Sequence, residues 1–100
     1  QSNAVLKPLP TQVKIDNSTS ETMTILDIFA HDRPGLLFII AKALHELGLS
    51  IKVAKIGTYI DQVVDVFYVV DELGNKIFDD LYLAEIRAKL YHAIESWNPE

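Results

Sequence analysis

The chain has 100 residues, 49% of them hydrophobic, with 9 Lys and Arg against 14 Asp and Glu, a net charge of −5 and no cysteine. That length suits a single domain burying roughly two-thirds of its unfolded surface. The acidic balance, with Lys52 and Lys55 isolated and Arg33 and Arg87 beside acidic neighbours, argues against nucleic acid as a partner, and the missing cysteines exclude a disulfide framework, a thiolate metal site and a thiol nucleophile.

Ser2-Asn3-Ala4 looks like the scar left when a protease removes a tag, and Leu6 to Pro10 reads as a linker because two prolines oppose regular structure. Residues 1–10 are therefore set apart, and Val5 onward is expected to be a piece of a longer protein. No apolar stretch approaches about 18 residues, so no membrane contact is expected, and a soluble, cytoplasmic domain is the default.

Residues 11–16 (TQVKID) alternate Val13 and Ile15 with polar positions, the period of a half-buried strand. Residues 17–21 (NSTSE) turn the chain. Residues 23–30 (MTILDIFA) carry apolar side chains on both faces, as a central strand does. From Pro34 the period changes: Leu36, Leu37, Ile40, Ala43, Leu44 and Leu47 recur along one helix face, and Gly48 closes the helix. Residues 51–60 and 63–71 are rich in β-branched and aromatic residues, with a tight hairpin expected at Asp61-Gln62. Leu73 to Asn75 form another turn. Leu83, Ile86, Leu90, Ile94 and Trp97 again have helical spacing, and the segment stops before Pro99.

The order strand, strand, helix, strand, strand, helix predicts an α+β ferredoxin-like sandwich: four mostly antiparallel strands with two helices on one face. Strands 23–30 and 63–71 are expected side by side and parallel, flanked by 11–16 and 51–60. No strand follows Trp97, so the N-terminal strand takes the edge that the usual last strand would fill. The last strand is apolar on both faces, Val63, Phe67 and Val69 on one and Val64, Val66, Tyr68 and Val70 on the other. Helices cover one face, so a second copy or a tandem domain is expected against the other.

HDRPGLL at 31–37 is the sharpest feature. As pure structure, Asp32 would cap the helix, Pro34 would preset its first turn and Gly35 would relieve crowding. As a site, the same helix start offers unpaired N–H groups and partial positive charge, and the glycine lets a small carboxylate-bearing ligand approach.

The stretch from His31 to Ile77 resembles an ACT domain, a small regulatory module. More narrowly, VKIDN at 13–17, DRPGLL at 32–37, LGLSI at 47–51, AKIGT at 54–58 and QVVDVFYV at 62–69 together resemble the last ACT domain of the bacterial PII-protein uridylyltransferase/uridylyl-removing enzyme family. The resemblance covers residues 11–95; the charged end from Glu95 to Glu100 lies beyond it, and the missing final strand is shared with the uridylyltransferase versions. It implies a regulatory domain over 11–97, with 98–100 a tail. It also implies glutamine as effector, control of nitrogen metabolism, and pairing as a homodimer or with a tandem ACT domain, coupled to catalytic domains of the parent. It places the ligand on Asp32, Arg33, Pro34, Gly35, Leu36 and Leu37, and assigns Lys55 and Ile56 to ligand or dimer contact.

Other chemistry finds little support. His31, His45 and His92 lack metal-ligand spacing, so no metal and no cofactor are expected in this fragment. Asp27 and Asp65 interrupt apolar strands and read as solvent-reaching or interface-paired charges rather than an acid/base pair. Ser18, Thr19 and Ser20 lack a positioned base and read as turn residues. No catalytic residue is expected in the chain itself. An effector-binding module leads, an interaction-only module or the effector domain of another metabolic enzyme follows, and a small enzyme comes last.

Overall fold

The computed structural model describes residues 10–97; the expected scar and linker before Pro10 and the tail at 98–100 lie outside the described residues. The elements run β1 (Gln12–Asp16), β2 (Thr24–His31), α1 (Leu36–Glu46), β3 (Ser50–Tyr59), β4 (Gln62–Val70) and α2 (Asp80–Ser96). The sheet order is β1-β2-β4-β3, the ferredoxin-like order expected, with the N-terminal strand at one edge.

One expectation is corrected: β2 and β4 are neighbours but antiparallel, in a register that places Leu26 opposite Phe67. All three pairings are antiparallel. The reason is directional. Helix α1 returns the chain so that β3 runs parallel to β2, and the hairpin then reverses it, so β4 slots between two parallel strands and opposes both.

Side-chain alternation builds the core. Val13 from β1, Leu26, Ile28 and Ala30 from β2, and Val63, Phe67 and Val69 from β4 face Leu36, Ile40, Ala43 and Leu44 of α1 and Ile86, Leu90 and Ile94 of α2. Each large apolar side chain buried this way contributes roughly 1.5–3 kcal/mol. Leu37, expected on the same helix face, is instead 48% exposed.

The local chemistry of the connections is explicit. Asp16 ends β1 by accepting from the backbone N–H groups of Ser18 and Thr19 and from both hydroxyls. The Thr19 hydroxyl leads in pulling the Asp16 carboxyl down to about 2. Ser20 Oγ accepts from the N–H groups of Thr22 and Met23, so the hydroxyls at 18–20 are turn residues, as expected. Helix α1 ends on Gly48 at φ 77°, with Leu49 N–H reaching Leu44 O and Gly48 N–H reaching His45 O, the paired bonds of a Schellman motif. Asp79 caps α2 by accepting from Leu81 N–H at 3.0 Å.

The β3–β4 hairpin turns one residue earlier than expected, at Ile60-Asp61, because Tyr59 pairs with Gln62. Ile60 there has φ 60°, while Asp61 is not among the residues with positive φ. That is the arrangement of a II′ turn, which favours glycine at its first central position and penalises a β-branched residue. The Ile60 side chain is 98% exposed and gains nothing by burial. Ile60→Gly is therefore expected to stabilise the chain by about 0.5–1 kcal/mol, raising Tm by about 4 °C; a melting curve with unchanged or lower Tm would contradict the reading of this turn.

Candidate functional site

The loop between β2 and α1 is built by two residues with opposite backbone habits. Leu36 N–H donates to Arg33 O at 3.2 Å, closing a four-residue turn with Pro34 and Gly35 at its centre. Gly35 has φ 79° and ψ 2°, the geometry of the third residue of a type II turn, and proline is the favoured second. The helix begins only at Leu36, with Gly35 as its N-cap and no side-chain cap. Asp32 therefore does not cap α1, contrary to expectation: the intervening turn displaces it, and its own N–H donates to Asp61 O at 2.7 Å.

This turn is clamped to the end of α2. Arg33 Nη2 donates to Ile94 O at 2.6 Å, satisfying a helix-terminal carbonyl, and Trp97 Nε1 donates to Pro34 O at 2.7 Å. The indole lies against Gly35 so closely that a Cβ there would stand 2.7 Å from Trp97 Cζ2. One side of the bend is thus closed by the chain's own tryptophan.

The other side is open. Asp32, Arg33, Gly35, Leu36, Leu37 and Phe38 face Ile56 and Thr58 of β3 and Val63 and Asp65 of β4 around a pocket of about 210 Å³. That is room for roughly seven waters, the scale of a small metabolite rather than a nucleotide. Among the described residues, the N–H groups of Leu37 and Phe38 have no hydrogen-bond acceptor, as first-turn amides of a helix do not. They supply the positive end that the sequence placed at Gly35; the Leu36 amide is spent on Arg33. Two roomier hollows, about 490 Å³ beside Gly48 and about 550 Å³ beside Gly74, hold no buried ionisable side chain.

Of the expected residues, the structure gathers Asp32, Arg33, Gly35, Leu36, Leu37 and Ile56 at this pocket. Pro34 contributes its carbonyl to Trp97 instead. Lys55 is not at the pocket: it projects from the opposite sheet face, its Nζ 5.2 Å from the centre of the Tyr68 ring. A ligand contact through Lys55 is therefore set aside, because alternation along β3 points neighbours to opposite faces.

The residue that sequence reasoning misread is Asp65. It is 1% exposed, and it shares the core-facing side of β4 with Val63 and Phe67. Two polar side chains are buried among the described residues; Thr24 is satisfied by accepting from Ile77 N–H at 3.0 Å, whereas Asp65 Oδ1 has no partner. Burial raises the Asp65 carboxyl from 3.8 to about 6; the Gly57 backbone N–H pulls it down and the nearby Asp32 charge adds to the rise. Among the described residues no three His, Cys, Asp or Glu side chains converge on a metal position, and no helix is long and apolar enough to cross a membrane.

The chain matches, over residues 12–96, the family described as "ACR9-like, ACT-like domain". It belongs to the ACT-like domain family. It is 45% identical over 86% of its length to the bifunctional uridylyltransferase/uridylyl-removing enzyme of Azospirillum brasilense. It is 41% identical over 91% of its length to that of Rhodospirillum rubrum and 43% over 88% to that of Gluconobacter oxydans. The ACT-like chain spans about a tenth of these relatives, covering 9%, 10% and 9% of them respectively. No solved structure matches.

Two measurements test this geometry. Gly35→Ala is expected to cost about 2 kcal/mol in urea unfolding followed by circular dichroism, and Trp97→Ala added to it to restore only part, since the positive φ persists when the clash is gone; full restoration would show that φ carries no cost. Asp65 has a folded value above its unfolded one, so the folded chain binds more protons between about pH 4 and pH 6 and the group's contribution to stability falls as pH rises through that window. Asp65→Asn should accordingly gain on the wild type by up to about 3 kcal/mol between pH 3.5 and pH 7. A stability difference that does not change with pH would contradict the burial of an ionisable group there.

Proposed function

We propose that the chain is an amino-acid-binding regulatory module that senses glutamine for a larger uridylyltransferase/uridylyl-removing enzyme and so takes part in control of nitrogen metabolism. The observation that carries this reading is the pocket at the Arg33–Leu36 turn, which coincides with the loop where the resemblance to ACT domains expects an effector. It joins free helix-start amides, able to donate to a carboxylate, to a buried acidic group across the same small volume.

Sensing further requires that the bound state favour one arrangement of the module over another; a ligand that binds two arrangements equally transmits nothing. Edge strand β3 supports pairing as that arrangement. All ten of its residues are exposed, among them Ile51, Val53, Ile56 and Tyr59, and one of its edges has no strand beside it among the described residues. The outer sheet face is less bare than the sequence suggests: Ile25 and Val70 are buried, and Lys14 and Lys55 lie over Phe29 and Tyr68. On this reading pairing, as a homodimer or with a tandem ACT domain, runs along β3, Ile56 included, and the adjoining Leu37 and Phe38.

The exposed edge also favours a second reading, an interaction module whose pocket serves no ligand. Titration of the chain with each amino acid, read by calorimetry and by the fluorescence of Trp97, its one tryptophan, separates the two. Saturable binding of glutamine that other amino acids do not reproduce supports sensing. No response in a chain that sedimentation shows to be paired would leave the interaction module as the function.

A further inference from the structure

Asp65 is an anomaly for a structural residue. A buried carboxylate with an oxygen lacking any partner is costly, and a fold that needed only packing at this position would be served by another valine, as at Val63 and Val69 of the same strand. Groups held in such surroundings concentrate at functional sites. Asp65 lines the pocket together with Leu37 and Phe38, the residues whose first-turn amides are unpaired among the described residues. Asp32 and Arg33 stand at the same pocket: Asp32 adds negative charge, while Arg33 Nη2 donates to Ile94 O and the buried Arg33 Nε has no partner among the described residues. Two carboxylates with no third ligand favour an organic cation over a metal ion.

We propose that Asp65 is the group that takes the ammonium of the bound amino acid, while the free amides of Leu37 and Phe38 take its carboxylate. The pocket thereby reads the zwitterionic head, with the two charges received at fixed positions on two rigid elements, β4 and α1. The side chain of the ligand then points to the rim formed by Ile56, Thr58 and Phe38, where a paired copy along β3 would meet it. This inference rests on the reading of the pocket as an amino-acid site and adds the residue that discriminates an amine from its deaminated counterpart. Removing one partner of a desolvated charge pair is expected to weaken binding at least tenfold, about 1.4 kcal/mol.

The test is calorimetric titration of the wild-type chain, Asp65→Asn and Asp27→Asn with glutamine, with glutaramic acid, which is glutamine without its α-amino group, and with the other amino acids. Asp27 lies on the opposite sheet face and serves as the control. On the wild type, glutaramic acid should bind at least tenfold more weakly than glutamine, a comparison that needs no variant to fold. Asp65→Asn should weaken glutamine at least tenfold and erase the preference for the amine, and Asp27→Asn should change neither. Equal affinity of the wild type for glutamine and glutaramic acid, or unchanged glutamine binding in Asp65→Asn, would overturn the assignment of Asp65 while leaving glutamine sensing in place. Binding of a different amino acid with the same dependence on Asp65 would uphold Asp65 and overturn glutamine as the effector. Binding of no amino acid by the wild type would overturn both.

Discussion

The positive φ of Gly35 is the constraint on which the site depends. It lets β2 pass into α1 through a single type II turn, with Pro34 presetting the position before it, and so brings the helix start to one pocket with residues of β3 and β4. A residue with a side chain would meet both the backbone penalty and the Trp97 indole. The Arg33 and Trp97 hydrogen bonds then tie the turn to the C-terminal end of α2, so the loop is held from the side opposite the pocket. Two named hydrogen bonds thus join the loop to the end of α2.

Much of this was legible in the residues. Alternation marked β1 and the inner face of β4, the spacing from Leu36 to Leu44 marked α1, and the Pro-Gly break marked the turn between β2 and α1. What periodicity leaves open is relative placement. It states which side of β4 Asp65 occupies, together with Val63 and Phe67, but a lone carboxylate in an apolar strand is more often at a surface, and only the antiparallel register of β4 between β2 and β3 puts it beneath α1. Lys55 parts from Ile56 for the complementary reason: the resemblance assigned both to ligand or dimer contact, and alternation along β3 puts Ile56 at the pocket and Lys55 on the other face. The parallel pairing expected for β2 and β4 came from neglecting that a hairpin reverses direction after the helical crossover. The hairpin itself shifted by one residue because the turn falls on Ile60, a residue whose chemistry gives no turn signal.

The same physics accounts for the coexistence of an ordered core and an exposed edge. The core packs the helices against β1, β2 and β4, leaving β3 as an exposed strand attached by its ladder to β4, with no strand on its other edge among the described residues. Natural sheets avoid such edges unless another chain uses them. Here the edge strand supplies Ile56 and Thr58 to the pocket, so on the proposed reading a partner along β3 would also close the rim of the ligand site. On the proposed reading, occupancy and association would be thermodynamically linked by that shared boundary, each altering the other by the same factor.

The central claim is that a small amino acid sits between the start of α1 and Asp65. The most direct measurement is the amide spectrum of isotopically labelled chain by two-dimensional nuclear magnetic resonance, recorded with increasing glutamine. The largest shifts are predicted at Leu37, Phe38 and Asp65, with the Trp97 indole N–H following through its bond to Pro34. Shifts confined to the hollows beside Gly48 or Gly74, or none at saturating ligand, would contradict it.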